Sequence, residues 1–302
     1  MDEISMNQPP KILITGAGGF TGRHACRHFS QAGFDVTAIA RTNTPDSPVK
    51  VAYCNLTDQD AVASLVKKTK PQYLLHLAGQ NHVGQSWLDP VSSLENNLLS
   101  TLYVIEALRH ENPECKICVA GSVLQFDLND LSALPHPYSL SKTLQVLIAK
   151  AWEILYNMQI IIAKPSNLIG PGFSKGVCSI FAQKIADMEA SKADQILEID
   201  NLNVQRDFLD VRDVVRAYEI LLTKGESGEV YEVASGRSYS LNEVVRIYRK
   251  LTAIDFEIKS RVNKKINTKL DLNPAKMMSL GWKPVIPLES SLADILNFYR
   301  CK

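Results

Sequence analysis

Apolar and polar positions along this chain fall into blocks whose period switches repeatedly between strand and helix. Lys11-Ile12-Leu13-Ile14-Thr15 is a short continuous apolar run, the pattern of a strand covered on both faces. Arg23 to Gln31 follows at helical spacing, and Phe34 to Ala40 is a second strand-like run. Tyr73 to Ala78 reads as a third strand ending in Gly79, Asn97 to Arg109 as an amphipathic helix and Lys116 to Ala120 as a strand. Ser139 to Tyr156 reads as a long helix, and Ile160 to Ala163 as a strand that stops at Pro165. Strands separated by helices predict a parallel sheet with right-handed crossovers. Ligands bind such sheets at the carboxyl ends of the strands. Gly16, Arg41, Gly79 and Ser122 each follow one of these runs.

After Pro165 the texture changes. Ser166 to Gly172 reads as a loop by its glycine and proline content, followed by a helix near Ile180 to Glu189, a strand-like Val230 to Val233 and a helix from Leu241 to Leu251. No internal repeat and no low-complexity linker interrupts the chain.

Two short motifs carry chemistry. Gly16-Ala17-Gly18-Gly19-Phe20-Thr21-Gly22 lies between the first strand and its helix. Three glycines at this spacing let the backbone approach a pyrophosphate and set a helix N-terminus against it, inside the strand, turn, helix, strand unit expected of a dinucleotide site. Tyr138 and Lys142 are four residues apart on one helix face, so the ammonium can lie beside the phenol and favour its ionised form. Together the motifs predict redox chemistry on a carbonyl. The expected fold class is α/β: a Rossmann-type doubly wound parallel sheet over residues 8–165, with a return segment near 206–236. Residues 166–302 form mainly a smaller C-terminal α/β substrate-binding lobe, and the cleft between the lobes is the default ligand site.

Composition narrows the partners. With 302 residues, 45% hydrophobic and 22% charged, the chain reads as an ordinary globular protein, and a net charge of +1 gives no general attraction for nucleic acid or anionic membrane. No apolar run reaches the ~18–20 residues that span a bilayer. Six scattered cysteines after a polar start, MDEISMNQPP, indicate a reduced, cytoplasmic chain. Cys115 and Cys118 have the spacing of a redox or zinc pair, but they lack a second pair or a nearby histidine and sit on a predicted buried strand. No metal is expected there.

These residues resemble the extended short-chain dehydrogenase/reductase family, whose members act on nucleotide sugars. The resemblance runs from Gly16 to Gly281-Trp282-Lys283-Pro284. It is carried by Thr15-Gly16 with Gly19 and Gly22, His76-Leu77-Ala78-Gly79, Asn97, Gly121-Ser122, Tyr138 with Lys142, Asn167 to Gly172, and Arg206-Asp207-Phe208 with Val211-Arg212-Asp213. Within the family the chain looks most like the GDP-4-keto-6-deoxy-D-mannose reductases. The resemblance implies catalytic roles for Ser122, Tyr138 and Lys142: Tyr138 gives a proton to the reduced carbonyl oxygen, Ser122 donates to the same oxygen, and Lys142 depresses the tyrosine pKa and holds a ribose hydroxyl.

It further implies a cofactor held by Gly16, Gly19, Phe20, Thr21, Gly22, Asn55, Leu56, Leu77, Ala78, Gly79 and Asn97, together with Tyr138 and Lys142. Arg41, where an acidic residue would meet an unphosphorylated ribose, suits a 2′-phosphate, so NADPH (NADP) is preferred and NAD is possible. Ser122, Asn167, Arg206 and Arg261 are the implied contacts to a nucleotide-diphosphate sugar, the guanidiniums matching phosphate oxygens in pairs. Leu124 stands where the family's dehydratases carry a glutamate, so sugar 4,6-dehydration is not expected. The segment from Val123 to Pro137 is also shorter than in the nearest relatives. The implied activity is NADPH-dependent reduction of the C4 carbonyl of a nucleotide-linked 4-keto-6-deoxyhexose. The alternatives are an NAD-dependent nucleotide-sugar 4-epimerase and a non-catalytic nucleotide-sensing protein. A homodimer through the Asn97–Arg109 and Ser139–Tyr156 helices is implied as well.

Overall fold

The computed structural model describes residues 8–41, 49–124, 126–260 and 272–302. The chain divides into two compact units, Met1–Lys164 with Tyr218–Tyr231, and Pro165–Ala217 with Glu232–Lys302. In the first unit the elements run β1 (Lys11–Thr15), α1 (Phe20–Gln31), β2 (Asp35–Ala40), β3 (Lys50–Tyr53), α2 (Gln59–Thr69), β4 (Tyr73–His76), α3 (Val83–Leu88) and α4 (Pro90–Leu94). A π-helical turn (Glu95–Leu99), α5 (Ser100–Glu111), β5 (Lys116–Ala120), α6 (Pro137–Tyr156) and β6 (Ile160–Pro165) follow.

A seven-stranded sheet in the order β3-β2-β1-β4-β5-β6 and then Val230–Val233 forms the Rossmann-type α/β fold. Ile12, Leu13 and Ile14 are consecutive and buried because helices cover both faces of a parallel sheet. Strand order reverses between β1 and β4, which pair in parallel with Thr15 opposite His76. Both the glycine turn after β1 and Leu77-Ala78-Gly79 after β4 therefore leave the sheet at its topological switch point, where such folds bind ligands. The core of this unit is built from residues such as Leu13, Leu74, Val104, Ile117 and Ile162.

Helix α6 begins where Pro137 occupies the first helical position and the His136 side chain caps the amide of Ser139 at 3.0 Å. Its inward stripe is polar at first, with Tyr138, Ser141, Lys142 and Gln145, and then apolar with Val146 and Ala149. An inward polar stripe is costly unless every group finds a partner.

The second unit contains β7 (Asn167–Ile169), α7 (Val177–Glu189), β8 (Ile196–Ile199), β9 (Gln205–Asp210), α8 (Val211–Lys224, its last turns in the first unit) and β10 (Val230–Val233, shared likewise). It ends with β11 (Ser238–Ser240), α9 (Leu241–Leu251), β12 (Glu257–Ser260), α10 (Ala275–Ser279) and α11 (Leu288–Arg300). β9 lies between β7, parallel to it, and β11, antiparallel, while β8 pairs with β12. Phe181, Leu197, Phe208, Tyr248 and Leu292 belong to its core. A reciprocal cap between Ser240 and Glu243 starts α9.

Several expectations shift. The helix expected from Asn97 becomes regular only at Ser100, after the π-helical turn, and the predicted Ser166–Gly172 loop contains β7. The chain re-enters the first unit only at Tyr218–Tyr231, because β9, inside the expected 206–236 return, pairs within the second. Cys115 and Cys118 are fully buried, and burial pushes the Cys118 thiol up to about 12, so neither is poised as a thiolate.

Candidate active site

The glycine turn is shaped by backbone contacts that leave no room for a side chain at Gly16 or Gly22. Gly16 has φ +67°, and a Cβ there would lie 2.8 Å from the backbone of Leu77 and Ala78; at Gly22 it would lie 2.2 Å from the Gly16 carbonyl oxygen. Gly19 donates its amide to that oxygen at 3.0 Å and caps α1, whose first turn, with Phe20 and Thr21, carries no acidic residue. An uncrowded helix N-terminus without a carboxylate suits an anion. The Arg23 guanidinium steadies the turn through Gly18 O at 3.1 Å.

Opposite the turn, the amides of Leu77 and Ala78 both donate to Thr15 Oγ1 at 3.1 Å. Gly79 lies against Asn97, where a Cβ would come within 2.5 Å of the amide oxygen. Asn97 is fully buried: its oxygen accepts from Gln80 N at 2.7 Å, and its nitrogen donates to Gln80 O at 3.0 Å and Ser141 Oγ at 2.8 Å. Asn97, expected to bind the cofactor, clamps the Gly79-Gln80 loop to α6 through those bonds.

The Asn55 side-chain oxygen closes its own turn onto Thr57 N and Oγ1 at 3.3 and 3.0 Å, and the Leu56 side chain is in the core, so neither reaches outward by those atoms. Arg41 is exposed just past β2, with Nη1 3.5 Å from Asn96 Oδ1.

Ser122 and Tyr138 are both buried, at 7% and 8% exposure, and their hydroxyls are hydrogen-bonded to each other. Ser122 Oγ also accepts from Leu124 N at 3.0 Å. That amide occupies a lone pair and leaves the serine proton to be donated. Tyr138 N is held by Ser86 Oγ at 3.0 Å, which fixes the first turn of α6. Lys142 donates to Ala120 O at 2.7 Å and to Gln145 Oε1, and burial lowers its pKa to about 7.

The tyrosine departs from expectation. Burial pushes its pKa up, the Ser122 bond acting the other way but less strongly, so the phenol stays protonated. Spacing of four aligned the two residues on the helix, but desolvation of the ring outweighs any help to the phenolate. A protonated phenol is the form a proton donor needs.

In the second unit Asn167 donates to Asp207 O at 3.0 Å, and Arg206, whose pKa burial lowers, donates to Gln205 O at 2.9 Å. Arg261 lies outside the described residues. Among the described residues no cluster of three or more histidine, cysteine or acidic side chains is set to hold a metal, and no helix is long and apolar enough to cross a membrane. Sequence reasoning missed Thr101 and Gln145, which are linked by hydrogen bonds to each other and to Lys142; a faint signal existed, because Thr101 is four residues from Asn97 and Gln145 three from Lys142.

A glycine cradle that a Cβ at Gly16 or Gly22 would fill, an acid-free helix N-terminus and a hydroxyl pair at the carboxyl edge of a parallel sheet define a dinucleotide-dependent enzyme of the Rossmann type. The chain matches the NAD dependent epimerase/dehydratase family over residues 12–234 and belongs to that family. It is 30% identical to GDP-6-deoxy-D-mannose reductase from Pseudomonas aeruginosa over 97% of this chain and 98% of that protein. The structure of RMD from Pseudomonas aeruginosa complexed with NADPH is similar with a TM-score of 0.84 at 28% identity, covering 96% of this chain and 99% of that one. UDP-glucose 4-epimerase from Thermotoga maritima shares the fold at TM-score 0.83 and 21% identity, covering 96% and 98%.

Proposed function

We propose that this chain is an NADPH-dependent reductase of the C4 carbonyl of a nucleotide-linked 4-keto-6-deoxyhexose. The observation that carries the reading is the Ser122–Tyr138 hydroxyl pair, its phenol held protonated, with Lys142 buried one helical turn after Tyr138 on α6. Gly16, Gly19 and Gly22 would hold the dinucleotide's pyrophosphate, with Phe20, Thr21, Leu77, Ala78 and Gly79 around it and Arg41 on the 2′-phosphate. When bound, the nicotinamide supplies the hydride. Tyr138 gives its proton to the carbonyl oxygen as negative charge develops there, and Ser122 donates a hydrogen bond to the same oxygen. Lys142 holds a ribose hydroxyl and passes positive character to the tyrosine as it loses its proton. Arg206 and Asn167 contact the nucleotide sugar, the guanidinium on the diphosphate.

Leu124 supports reduction over dehydration, because a leucine cannot move the proton that elimination of water requires. Similarity to a GDP-6-deoxy-D-mannose reductase favours a GDP sugar. The protein works as a homodimer through α5 and α6, a reading supported by the exposure of Leu147, Ile154 and Leu155 on α6. Its free cysteines suit the cytoplasm.

The test is NADPH oxidation across GDP-, UDP-, dTDP- and CDP-linked 4-keto-6-deoxyhexoses, with the product's C4 configuration read by NMR. Consumption with at least one of them is expected. Tightly bound NAD in purified protein, with C4 inversion and no demand for added cofactor, would replace the reading with a 4-epimerase.

Arg41→Glu is expected to shift the NADPH/NADH ratio of kcat/KM toward NADH by roughly 10–100-fold, the scale of one charge-assisted contact. An unchanged ratio would place recognition of the 2′-phosphate on other residues.

A further inference from the structure

Beneath Lys142 five side chains from four elements form one continuous hydrogen-bonded run. Thr15 ends β1, His76 ends β4, Thr101 lies in the first turn of α5, and Gln145 and Lys142 share a face of α6. His76 Nδ1 is 3.0 Å from Thr15 Oγ1 and its Nε2 is 2.9 Å from Thr101 Oγ1. Gln145 Nε2 donates to Thr101 Oγ1 at 2.8 Å, and Lys142 donates to Gln145 Oε1. Thr15, Thr101 and Gln145 are fully buried and His76 is 1% exposed.

The protons in this run follow from counting donors. Thr15 Oγ1 already accepts the amides of Leu77 and Ala78, so its own hydrogen goes to His76 Nδ1. Thr101 gives its hydrogen to the Asn97 carbonyl at 2.7 Å, so toward His76 it acts only as an acceptor. Both ends require the same imidazole, bare at Nδ1 and protonated at Nε2. A second proton would find no acceptor, and burial, reinforced by the nearby Lys142 charge, lowers the histidine pKa to about 3.

Gln145 is oriented by the same count. Its nitrogen must face the Thr101 oxygen and its oxygen the Lys142 ammonium; flipped, it would set donor against donor at the lysine.

We propose that His76, with Thr101 and Gln145, is a positioning residue for Lys142: a permanently neutral imidazole of fixed tautomer that locks the glutamine oxygen onto the lysine and ties it to the Leu77-Ala78 loop. The catalytic helix and the loop that receives the cofactor are thereby held in one register by a buried rod of directed hydrogen bonds. The inference rests on the reductase reading for the role of Lys142, but the geometry of the run stands apart from any substrate.

The experiment has a spectroscopic arm and a kinetic arm. In ¹⁵N NMR of the cofactor-free wild-type protein, His76 is expected as the neutral Nε2–H tautomer throughout pH 5 to 8. An Nδ1–H tautomer, or titration between pH 5 and 8, overturns the proposal. Thr101→Val removes the shared acceptor with little change of shape, and Gln145→Met removes the link itself. Either variant, folded by circular dichroism, is expected to lose roughly 5–100-fold in kcat and to bind NADPH more weakly by fluorescence titration, the scale of unpaired buried groups. Thr101→Ser is expected to recover most of that loss.

Variants that melt at lower temperature yet keep wild-type kcat and NADPH affinity when folded would show a merely structural run and defeat the proposal. Should Thr101→Val not fold, Gln145→Met and the wild-type spectrum still decide it. A wild-type protein that turns over no 4-keto sugar would sink the reductase reading instead, leaving the NMR and NADPH-binding results to judge the positioning role.

Discussion

Tyr138→Phe is expected to cut kcat by roughly 10²–10⁴-fold, the usual effect of removing a general acid, while NADPH affinity stays close to that of the wild type. The ring is 8% exposed and keeps its packing in the variant, and only the phenolic oxygen disappears. Ser122 remains anchored by the Leu124 amide, so the neighbouring donor is not released to compensate by moving. The loss should appear in kcat more than in KM, because the proton is needed only as charge develops on the substrate oxygen. Fluorescence titration with NADPH and steady-state kinetics on the same preparation make the comparison. Full turnover in the variant would remove the phenol from the chemistry.

Gly22→Ala is expected to abolish measurable NADPH binding and to lower the melting temperature by several degrees. The added methyl would sit 2.2 Å from Gly16 O and 2.6 Å from Ala17 Cα, both backbone atoms that cannot swing aside. Overpacking of this kind costs about 1–3 kcal/mol and more where nothing yields, and here the displaced atoms belong to the turn proposed to receive the pyrophosphate. Gly19→Ala is the comparison, since its methyl meets only one atom at 3.2 Å and a shift of a few tenths of an ångström relieves it. Calorimetry with and without NADPH reads both effects. Wild-type affinity in the Gly22 variant would mean that the turn is not where the cofactor lies.

The elements read accurately from sequence were those with a physical reason to be unambiguous. β1 and β5 are short apolar runs buried in a sheet, β10 alternates buried Tyr231 and Val233 with half-buried neighbours, and α9 begins at a Ser-x-x-Glu cap, so their bounds were plain. β3 was not legible, because Lys50-Val51-Ala52-Tyr53 is short and partly exposed at the sheet edge. α2 carried a readable start in Asp58, which caps Ala61, and an inward pair in Val62 and Val66 that was overlooked.

Within the site, Ser122, Tyr138 and Lys142 stood out because reactive side chains at fixed spacing leave a trace in one dimension. The direction of the tyrosine shift did not, since spacing along a helix says nothing of how much water the folded ring retains. Nor did the run through His76, whose members are brought together from positions 15, 76, 101 and 145 by the pairing of β1 with β4 and the packing of α5 and α6.

The wide turn at Glu95–Leu99 sets a limit on how this segment can change length. Each residue of an ordinary helix advances about 100° around the axis, and a π-helical turn holds one residue more than an α-helical turn would. Deleting a single residue there would let the helix relax to regular winding and rotate Asn97 off Gln80 and Ser141 without altering any of the three. Loss of one residue there would disconnect the Gly79-Gln80 loop from α6, to which Asn97 now ties it.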